Sequence, residues 1–199
     1  MTLAIRAARA GDAAAVAAIY APFVTSDVVS FETEAPDEAQ MALRMTGTEG
    51  LYPWLVATVA GPAGETVAGY AYAGRFRERA AYRHVVETSI YLSPEARGRG
   101  IGRRLYQALL ETLRVQHFTQ AMGVITLPND RSVRLHEAVG FRPVGVLEAV
   151  GHKYGRWIDV GLWQCALGER DAPAADILPF TEVGCGCRGA ATEDQRRPR

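Results

Sequence analysis

The sequence contains few cysteines, no long apolar run and no excess of either charge. Its three cysteines are an odd number, and two of them lie near the C-terminus, which excludes a disulfide framework. The longest apolar stretches, such as residues 53–60, are far shorter than the roughly 20 residues of a membrane-spanning helix. Lys and Arg equal Asp and Glu at 22 each, so no net charge attracts the chain to nucleic acid or to an anionic membrane.

Three kinds of local signal are also missing. The first residues contain no apolar segment of the kind that begins a secreted protein, so we expect a cytoplasmic protein. No basic face with interleaved aromatic residues is visible, which argues against nucleic-acid binding. His84, His117 and His152 show no spacing typical of metal ligands, and we expect no metal.

What the sequence does contain is enough for one folded domain. It has 199 residues, of which 48% are hydrophobic, and these can bury a core. The composition changes near Gly168, after which no sustained hydrophobic period is visible. We therefore predict a domain over residues 1–167 and an irregular, flexible tail over residues 168–199, in which the apolar run 177–180 could dock locally.

Strand and helix patterns alternate along that domain. Strands are predicted at about residues 5–8, 53–60, 66–76, 85–92, 121–127, 141–150 and 157–167. Helices are predicted after the N-cap residue Asp12, from a first turn containing Pro36, from Ile101, and from Asn129 or Asp130 to Val139. This order predicts an α/β fold with a mixed, mainly antiparallel sheet flanked by helices. One parallel pairing is expected where a helix links two strands.

The strongest motif is the glycine-rich segment 97–102, Arg-Gly-Arg-Gly-Ile-Gly, between a predicted strand and a predicted helix. Glycines allow a tight turn and a close approach to a ligand, and a helix N-terminus offers free N–H groups to an anion. Arg97 and Arg99 add attraction for phosphate. The spacing fits neither a dinucleotide-binding turn nor a Walker loop. An ordinary glycine-rich turn with two solvated arginines is the alternative that spacing alone leaves open.

Several segments together carry a family resemblance. The pattern Arg97-x-x-Gly100-x-Gly102 resembles the pyrophosphate-binding loop of the GNAT superfamily of N-acetyltransferases, and residues 127–141 resemble its closing motif. Within that superfamily the phosphinothricin acetyltransferase group is similar in residues 30–34, 71–74, Tyr82, 86–89 and 151–160. The resemblance covers residues 5–167, excludes the tail, and is specific because the motifs follow in the right order.

The resemblance implies a GNAT-type fold and a definite chemistry. GNAT enzymes use acetyl-CoA as the donor and pass the acetyl group directly to a bound amine, without a covalent acyl-enzyme. The phosphinothricin group acetylates small amino-acid analogues of the phosphinothricin, methionine sulfoximine or methionine sulfone type. Because members are often dimers, a homodimer is a candidate assembly. The residues that would bind acetyl-CoA are Ile90, Tyr91, Leu92, Arg97, Gly98, Arg99, Gly100, Ile101, Gly102, Asn129 and Ser132.

Two residues are candidates for the catalytic proton transfers. Glu87 lies in mid-strand, where an alternating apolar pattern would place no charge, and it matches the proposed base of the family. An outward-facing strand carboxylate is the alternative. The resemblance also implies a role for His136, seven residues after Asn129, where many GNAT enzymes carry a tyrosine that protonates the departing thiolate. A packed or hydrogen-bonded helical histidine is the alternative there.

The candidate acceptor site includes a basic segment just before the strand of Glu87. Arg77 and Arg79 match basic positions of the phosphinothricin group, and a guanidinium can bind a carboxylate or phosphinate through two hydrogen bonds. A solvated basic loop is the alternative. The other residues implied by the resemblance are Phe31 and Glu34 of the substrate loop, and Tyr82 as a wall or hydrogen-bond donor.

Two other functions stay open on the sequence alone. An enzyme that acetylates protein N-termini or lysines would favour an open, acidic groove, and the basic segment 75–79 argues against it. A non-catalytic acyl-CoA sensor would bind CoA without turnover and would not depend on Glu87.

Overall fold

The computed structural model describes residues 2–47, 50–62, 64–169 and 174–186. Its strands are β1 (Leu3–Ala7), β2 (Trp54–Gly61), β3 (Gly64–Arg75), β4 (Val85–Leu92), β5 (Gln120–Leu127), β6 (Arg142–Lys153) and β7 (Arg156–Ala166). Its helices are α1 (Ala13–Thr25), α2 (Glu38–Thr46), α3 (Ile101–Val115), α4 (Asp130–Ala138) and α5 (Phe180–Val183). None of these helices has the length and apolar character needed to cross a membrane.

The strands of the described residues form one sheet in the order β1-β2-β3-β4-β5-β7-β6. Neighbouring strands are antiparallel except for β4 and β5, which run parallel. Helix α3 links these two strands, because a parallel pair needs a crossover connection. The expected mixed, mainly antiparallel sheet flanked by helices is confirmed, and so is the parallel pairing across a helix.

Strands β4 and β5 part after a short contact. Residues 85–88 of β4 pair with residues 120–123 of β5. The remainder of β5 pairs with β7, whereas the remainder of β4 pairs with β3. Within the described chain, residues 89–92 therefore have no strand partner on their β5 side, and a wedge opens in the middle of the sheet.

The two faces of the sheet carry separate cores, because successive strand residues point to opposite faces. Leu55 of β2 packs in the core under α3, whereas the next residue, Val56, packs against α1 and α2. One side of α3 forms a buried apolar row that consists of Ile101, Leu105, Leu109 and Leu113. Each central strand is thus fixed from both sides by different helices.

The start of α1 differs in one respect from the expectation. The helix begins directly after Asp12, but the Asp12 side chain makes no capping hydrogen bond to it. Asp12 ends a 3-10 turn, so its carboxylate accepts from Arg9 N at 2.7 Å and pairs with the Arg6 guanidinium at 2.7 Å.

The start of α2 also differs. Pro36 was expected in the first helical turn, but the helix begins at Glu38. Asp37 is the N-cap residue, and its carboxylate accepts from Gln40 N at 2.8 Å. A capping box therefore sets this helix start, and the proline lies before it.

The segment 174–186 folds back onto the end of α3. The fully buried Gln116 side chain donates from Nε2 to Leu51 O at 2.7 Å and to Leu178 O at 2.8 Å. Phe180 N also donates to Leu51 O, at 3.2 Å. The apolar run 177–180 is thus docked. Residues 170–173 and 187–199, which include Cys187, lie outside the described chain, and the domain division at residue 168 stays a prediction.

Gln116→Ala should destabilise the fold by about 1–3 kcal/mol, because two carbonyl oxygens lose their buried donor. Urea denaturation followed by circular dichroism measures this change in unfolding free energy. Gln107→Ala, on the exposed side of α3, is the matched control and should cost less than about 0.5 kcal/mol. Equal losses in both variants would show that the Gln116 contacts contribute nothing specific.

Candidate functional site

A cavity of about 680 Å³ lies where β4 and β5 part. Its walls come from the end of β4, the glycine-rich loop, the starts of α3 and α4, and the end of α1. Most residues expected to bind the donor line it, namely Ile90, Tyr91, Leu92, Arg97, Gly98, Gly100, Gly102, Asn129 and Ser132. Arg99 and Ile101 are outside the lining. Ile101 instead buries its side chain in the core under α3, as the first residue of that helix's apolar row.

The backbone of the glycine-rich loop explains its composition. Gly98 and Gly100 have φ angles of 72° and 74°, in the left-handed region that favours glycine. Gly100 is also the N-cap residue of α3, so the free N–H groups of that helix begin at the loop. At Gly102 a Cβ would lie only 2.9 Å from a Leu92 methyl group, so here glycine permits close packing of α3 on β4. The loop can accommodate an anion against backbone N–H groups.

Sequence reasoning missed three basic residues of this cavity. Arg103 in the first turn of α3, and Arg131 and Arg134 in α4, line it together with Arg97. All three arginines lie within one or two turns of the predicted N-termini of α3 and α4. This position in the sequence was a signal that could have identified them as ligand-binding candidates. Four arginines and two helix N-termini around one cavity provide a strongly positive field for a phosphorylated ligand.

Glu87 lies on β4 next to this cavity, on the α1–α2 face of the sheet. It stands opposite Gly74 of β3 and is half-buried. Burial raises the pKa of its carboxyl above the ordinary value, and the positive charge of Arg77 acts in the opposite direction. Ile90, where the cavity lining begins on β4, is three residues further, or roughly 10 Å at strand spacing. A half-buried carboxylate that feels the charge of one arginine therefore lies on the strand that continues into the cavity lining.

His136 is located on the other face of the sheet and is 4% exposed. Its Nδ1 lies 2.8 Å from the Ser132 carbonyl oxygen, and its Nε2 lies 2.9 Å from the Tyr106 hydroxyl. Since a carbonyl can only accept, Nδ1 carries the proton and Nε2 accepts from Tyr106. The Thr88 hydroxyl lies 2.8 Å from the Tyr106 oxygen and 3.2 Å from Met122 O, so these two oxygens share its single proton as acceptors. The imidazole is the end of a buried, directional hydrogen-bond chain and does not line the cavity.

The candidate acceptor residues are mostly exposed. Arg77 lies over the Phe76 ring at 5.0 Å, and Tyr82 meets the same ring edge-on at 5.9 Å. Arg79 is exposed, and so is Glu34. Phe31 packs on the backbone of Gly151, where a Cβ would collide with its ring.

The loop between α1 and α2 is ordered by residues that the sequence did not single out. Glu32, not Glu34, makes the polar contacts, since it accepts from Tyr20 Oη at 2.9 Å and from Arg44 at 2.7 and 2.9 Å. Lys153, 6% exposed, donates from Nζ to Val24 O at 2.7 Å and to Ser30 O at 2.6 Å. The turn between β6 and β7 therefore holds this loop in place. No local sequence pattern links Lys153 to residues more than 120 positions away.

Comparison with known proteins gives one consistent result. The model of the acetyltransferase (GNAT) domain matches residues 5–162. A phosphinothricin N-acetyltransferase of Streptomyces viridochromogenes is 41% identical over 90% of this chain and 95% of its own length. An L-methionine sulfoximine/L-methionine sulfone acetyltransferase of Pseudomonas aeruginosa is 37% identical over 87% of this chain and its full length.

The likeness extends to solved structures. The crystal structure of a GNAT superfamily phosphinothricin acetyltransferase from Sinorhizobium meliloti, in complex with AcCoA, matches with a TM-score of 0.82 at 42% identity. The match covers 91% of this chain and 98% of that one. In the described part of this chain, no group of three or more His, Cys, Asp or Glu residues is arranged to hold a metal ion.

The His136 imidazole should stay neutral at pH values where a free histidine is charged, because burial lowers its pKa. Nitrogen-15 NMR should show the Nδ1–H tautomer of His136 and no titration of this residue near pH 6.5. Stability should decline as the pH falls through the unfolded-state pKa, since unfolding then takes up a proton. A His136 signal that titrates at or above pH 6.5 would contradict the hydrogen-bond assignment.

Proposed function

The chain belongs to the acetyltransferase (GNAT) family, and we propose that it transfers the acetyl group of acetyl-CoA to the amino group of a small amino-acid-like substrate. The observation that carries the proposal is the cavity at the parted strands, whose lining on β4 begins three residues after Glu87. The acceptors named for its relatives are phosphinothricin, L-methionine sulfoximine and L-methionine sulfone. We propose acceptors of this type for this chain.

The donor would be held by two kinds of contact. Its pyrophosphate would lie against the N–H groups of the glycine-rich loop, with Arg97 and Arg103 supplying positive charge. Its pantetheine arm would run along Ile90 and Leu92, where β4 has no partner on the β5 side within the described chain. Backbone groups left unpaired by the wedge would then find their hydrogen-bond partners in the ligand.

The reaction needs a base, and Glu87 is the group we propose for it. The substrate ammonium gives one proton to the carboxylate, directly or through water, and its nitrogen then attacks the thioester carbon. The C–S bond breaks as the amide forms, and the leaving thiolate takes up the second proton that the amine nitrogen loses. The raised pKa of Glu87 suits the role, because a base accepts a proton best when its pKa is close to the working pH.

For His136 we propose a positional role. Both ring nitrogens are engaged within the protein, and the ring does not line the cavity, so it is poorly placed to protonate a thiolate there. The chain from Thr88 through Tyr106 to His136 instead connects β4 to α4, which carries the cavity residues Asn129 and Ser132.

On the acceptor side, we propose that Arg77 binds the substrate carboxylate. It is close enough to Glu87 to oppose the shift in that carboxyl's pKa. The family resemblance assigns four further residues to the acceptor site, namely Arg79, Tyr82, Phe31 and Glu34. Their roles remain predictions.

Strand β6 suggests how the protein assembles. It forms the edge of the sheet and exposes several apolar side chains, among them Val144, Val146, Leu147 and Val150, with Trp157 beside them on β7. An exposed apolar face of this kind is unusual for a monomer. We propose that it is covered in a homodimer, and that the dimer works in the cytoplasm, where acetyl-CoA is available.

Thiol release from acetyl-CoA tests the function directly. Turnover is expected with at least one of methionine sulfone, methionine sulfoximine and phosphinothricin, and at least ten times less with lysine-containing peptides. Preference for the peptides would favour a protein acetyltransferase. Tight CoA binding without turnover of any amine would favour the sensor function.

Glu87→Gln should lower kcat by about 10²–10⁴-fold, because the amide cannot accept the ammonium proton. The affinity for acetyl-CoA, measured by calorimetry, should change little. Raising the pH should restore part of the rate, since more of the amine is then already neutral. Glu111→Gln, on the exposed surface of α3, is the matched control and should keep the wild-type rate. Full activity of Glu87→Gln at neutral pH would remove Glu87 from the mechanism.

A further inference from the structure

The end of α1 and the residues after it form one wall of the cavity at the parted strands. Phe23, Asp27 and Val29 line the cavity on this side. The Phe23 ring meets Tyr91 of β4 edge-on at 5.1 Å, and the guanidinium of Arg97 lies 5.5 Å from the centroid of the same ring. This wall therefore contacts both the strand and the glycine-rich loop of the proposed donor site.

Most of this wall lies outside regular secondary structure. Helix α1 ends at Thr25, so Asp27 and Val29 belong to the loop that follows it. Within the loop, Asp27 Oδ1 accepts from Val28 N at 2.6 Å and from Val29 N at 3.2 Å. These bonds shape the turn but do not attach it to the rest of the domain. Contacts from other elements must set its position.

Lys153, at the end of β6, contacts this turn on both sides. Its side chain is buried, and among the described residues its ammonium forms no ion pair. The ammonium donates instead to Val24 O at 2.7 Å and to Ser30 O at 2.6 Å. The lining residues Asp27 and Val29 lie between these two carbonyls in the sequence. One ammonium thus ties together the two ends of the segment that carries them.

The end of α1 is a favourable place for this charge. The last carbonyl groups of a helix have no partner within it and form the negative end of its dipole. Val24 O is one of them, and Tyr154 Oη also donates to it, at 3.0 Å. Burial lowers the pKa of the Lys153 ammonium, and the charges of Asp27 and Glu32 oppose that shift. The carbonyls and the two carboxylates together compensate the burial of the lysine.

The hairpin of β6 and β7 meets the same loop at a second point. The ring of Phe31 packs on the backbone of Gly151, where a Cβ would collide with it. Glycine therefore permits the close approach of the two segments, and it lies two residues before Lys153. The lysine contact is thus one part of a fitted surface between the hairpin and the loop.

Resting on the function proposed above, we propose that Lys153 is a positioning residue for the donor. It holds Val24 O and Ser30 O, and thereby keeps the lining residues beside and between them in place against β4 and the glycine-rich loop. Lys153 is not among the residues that line the cavity, so it acts through this wall and does not touch the donor itself. A wall that is fixed before binding spares the donor the cost of ordering it.

Lys153→Met tests this role, because methionine keeps an apolar side chain but cannot donate to the two carbonyls. The affinity for acetyl-CoA, measured by calorimetry without an acceptor, should fall at least fivefold. Amide hydrogen exchange of residues 24–32, followed by mass spectrometry, should become at least tenfold faster. Tyr154→Phe removes only the longer of the two bonds to Val24 O. It should change both quantities in the same direction by a smaller factor, and it serves if the methionine variant does not fold.

Gln116→Ala is the matched control for a general loss of stability. Gln116 lies directly after α3, at the end opposite the glycine-rich loop, and does not line the cavity. This variant should keep the affinity for acetyl-CoA within twofold of the wild type.

Two outcomes would overturn the proposal. One is a wild-type affinity of Lys153→Met for acetyl-CoA. The other is an equal loss of affinity in Lys153→Met and Gln116→Ala, which would mean that lower stability explains both. Absence of acetyl-CoA binding by the wild type would instead reject the function on which this proposal rests.

Discussion

The site depends on the early parting of β4 from β5. These strands pair over residues 85–88 only, and the α3 crossover that makes them parallel begins at the glycine-rich loop just beyond the wedge. Unpaired main-chain groups in a protein interior are costly unless a partner satisfies them. A wedge in mid-sheet is therefore stable when it is hydrated or occupied, and a ligand with an amide-bearing arm is suited to occupy it. The arginines and helix N-termini line the cavity at this wedge, and Glu87 lies on the paired part of β4 just before the wedge begins.

Successive side chains of β4 point to opposite faces of the sheet, and this places a structural residue and the proposed base on different faces. Thr88 points into the α3 face, where it belongs to the buried hydrogen-bond chain with Tyr106 and His136. Glu87, one residue earlier, points to the α1–α2 face. A shift of register by one residue would exchange these two side chains and bury the carboxylate under α3. The stability of the α3 core therefore also fixes the position of the proposed base.

Much of this arrangement could be predicted from the sequence, because the signals are local. Hydrophobic periodicity indicated the strands and α3, the glycines indicated the turn before α3, and a charge in mid-strand indicated Glu87. The sequence did not reveal contacts between distant segments, such as Lys153 with the loop after α1 or Gln116 with Leu178. It also did not reveal a cavity lined by Trp54, Tyr70 and Tyr72, whose walls come from α2, β2 and β3. Ile101 shows a third limit, since a residue inside a ligand-binding motif can serve the core.

The environment of Glu87 links substrate binding to proton removal. In the free protein, burial raises the pKa of this carboxyl and Arg77 opposes that shift. If the carboxylate of the acceptor binds Arg77 as proposed, the arginine charge is shared with the substrate and its effect on Glu87 weakens. This change raises the proton affinity of the carboxylate. Glu87 thus becomes a stronger base when the acceptor is bound to Arg77, so that substrate binding and catalysis draw on the same contact.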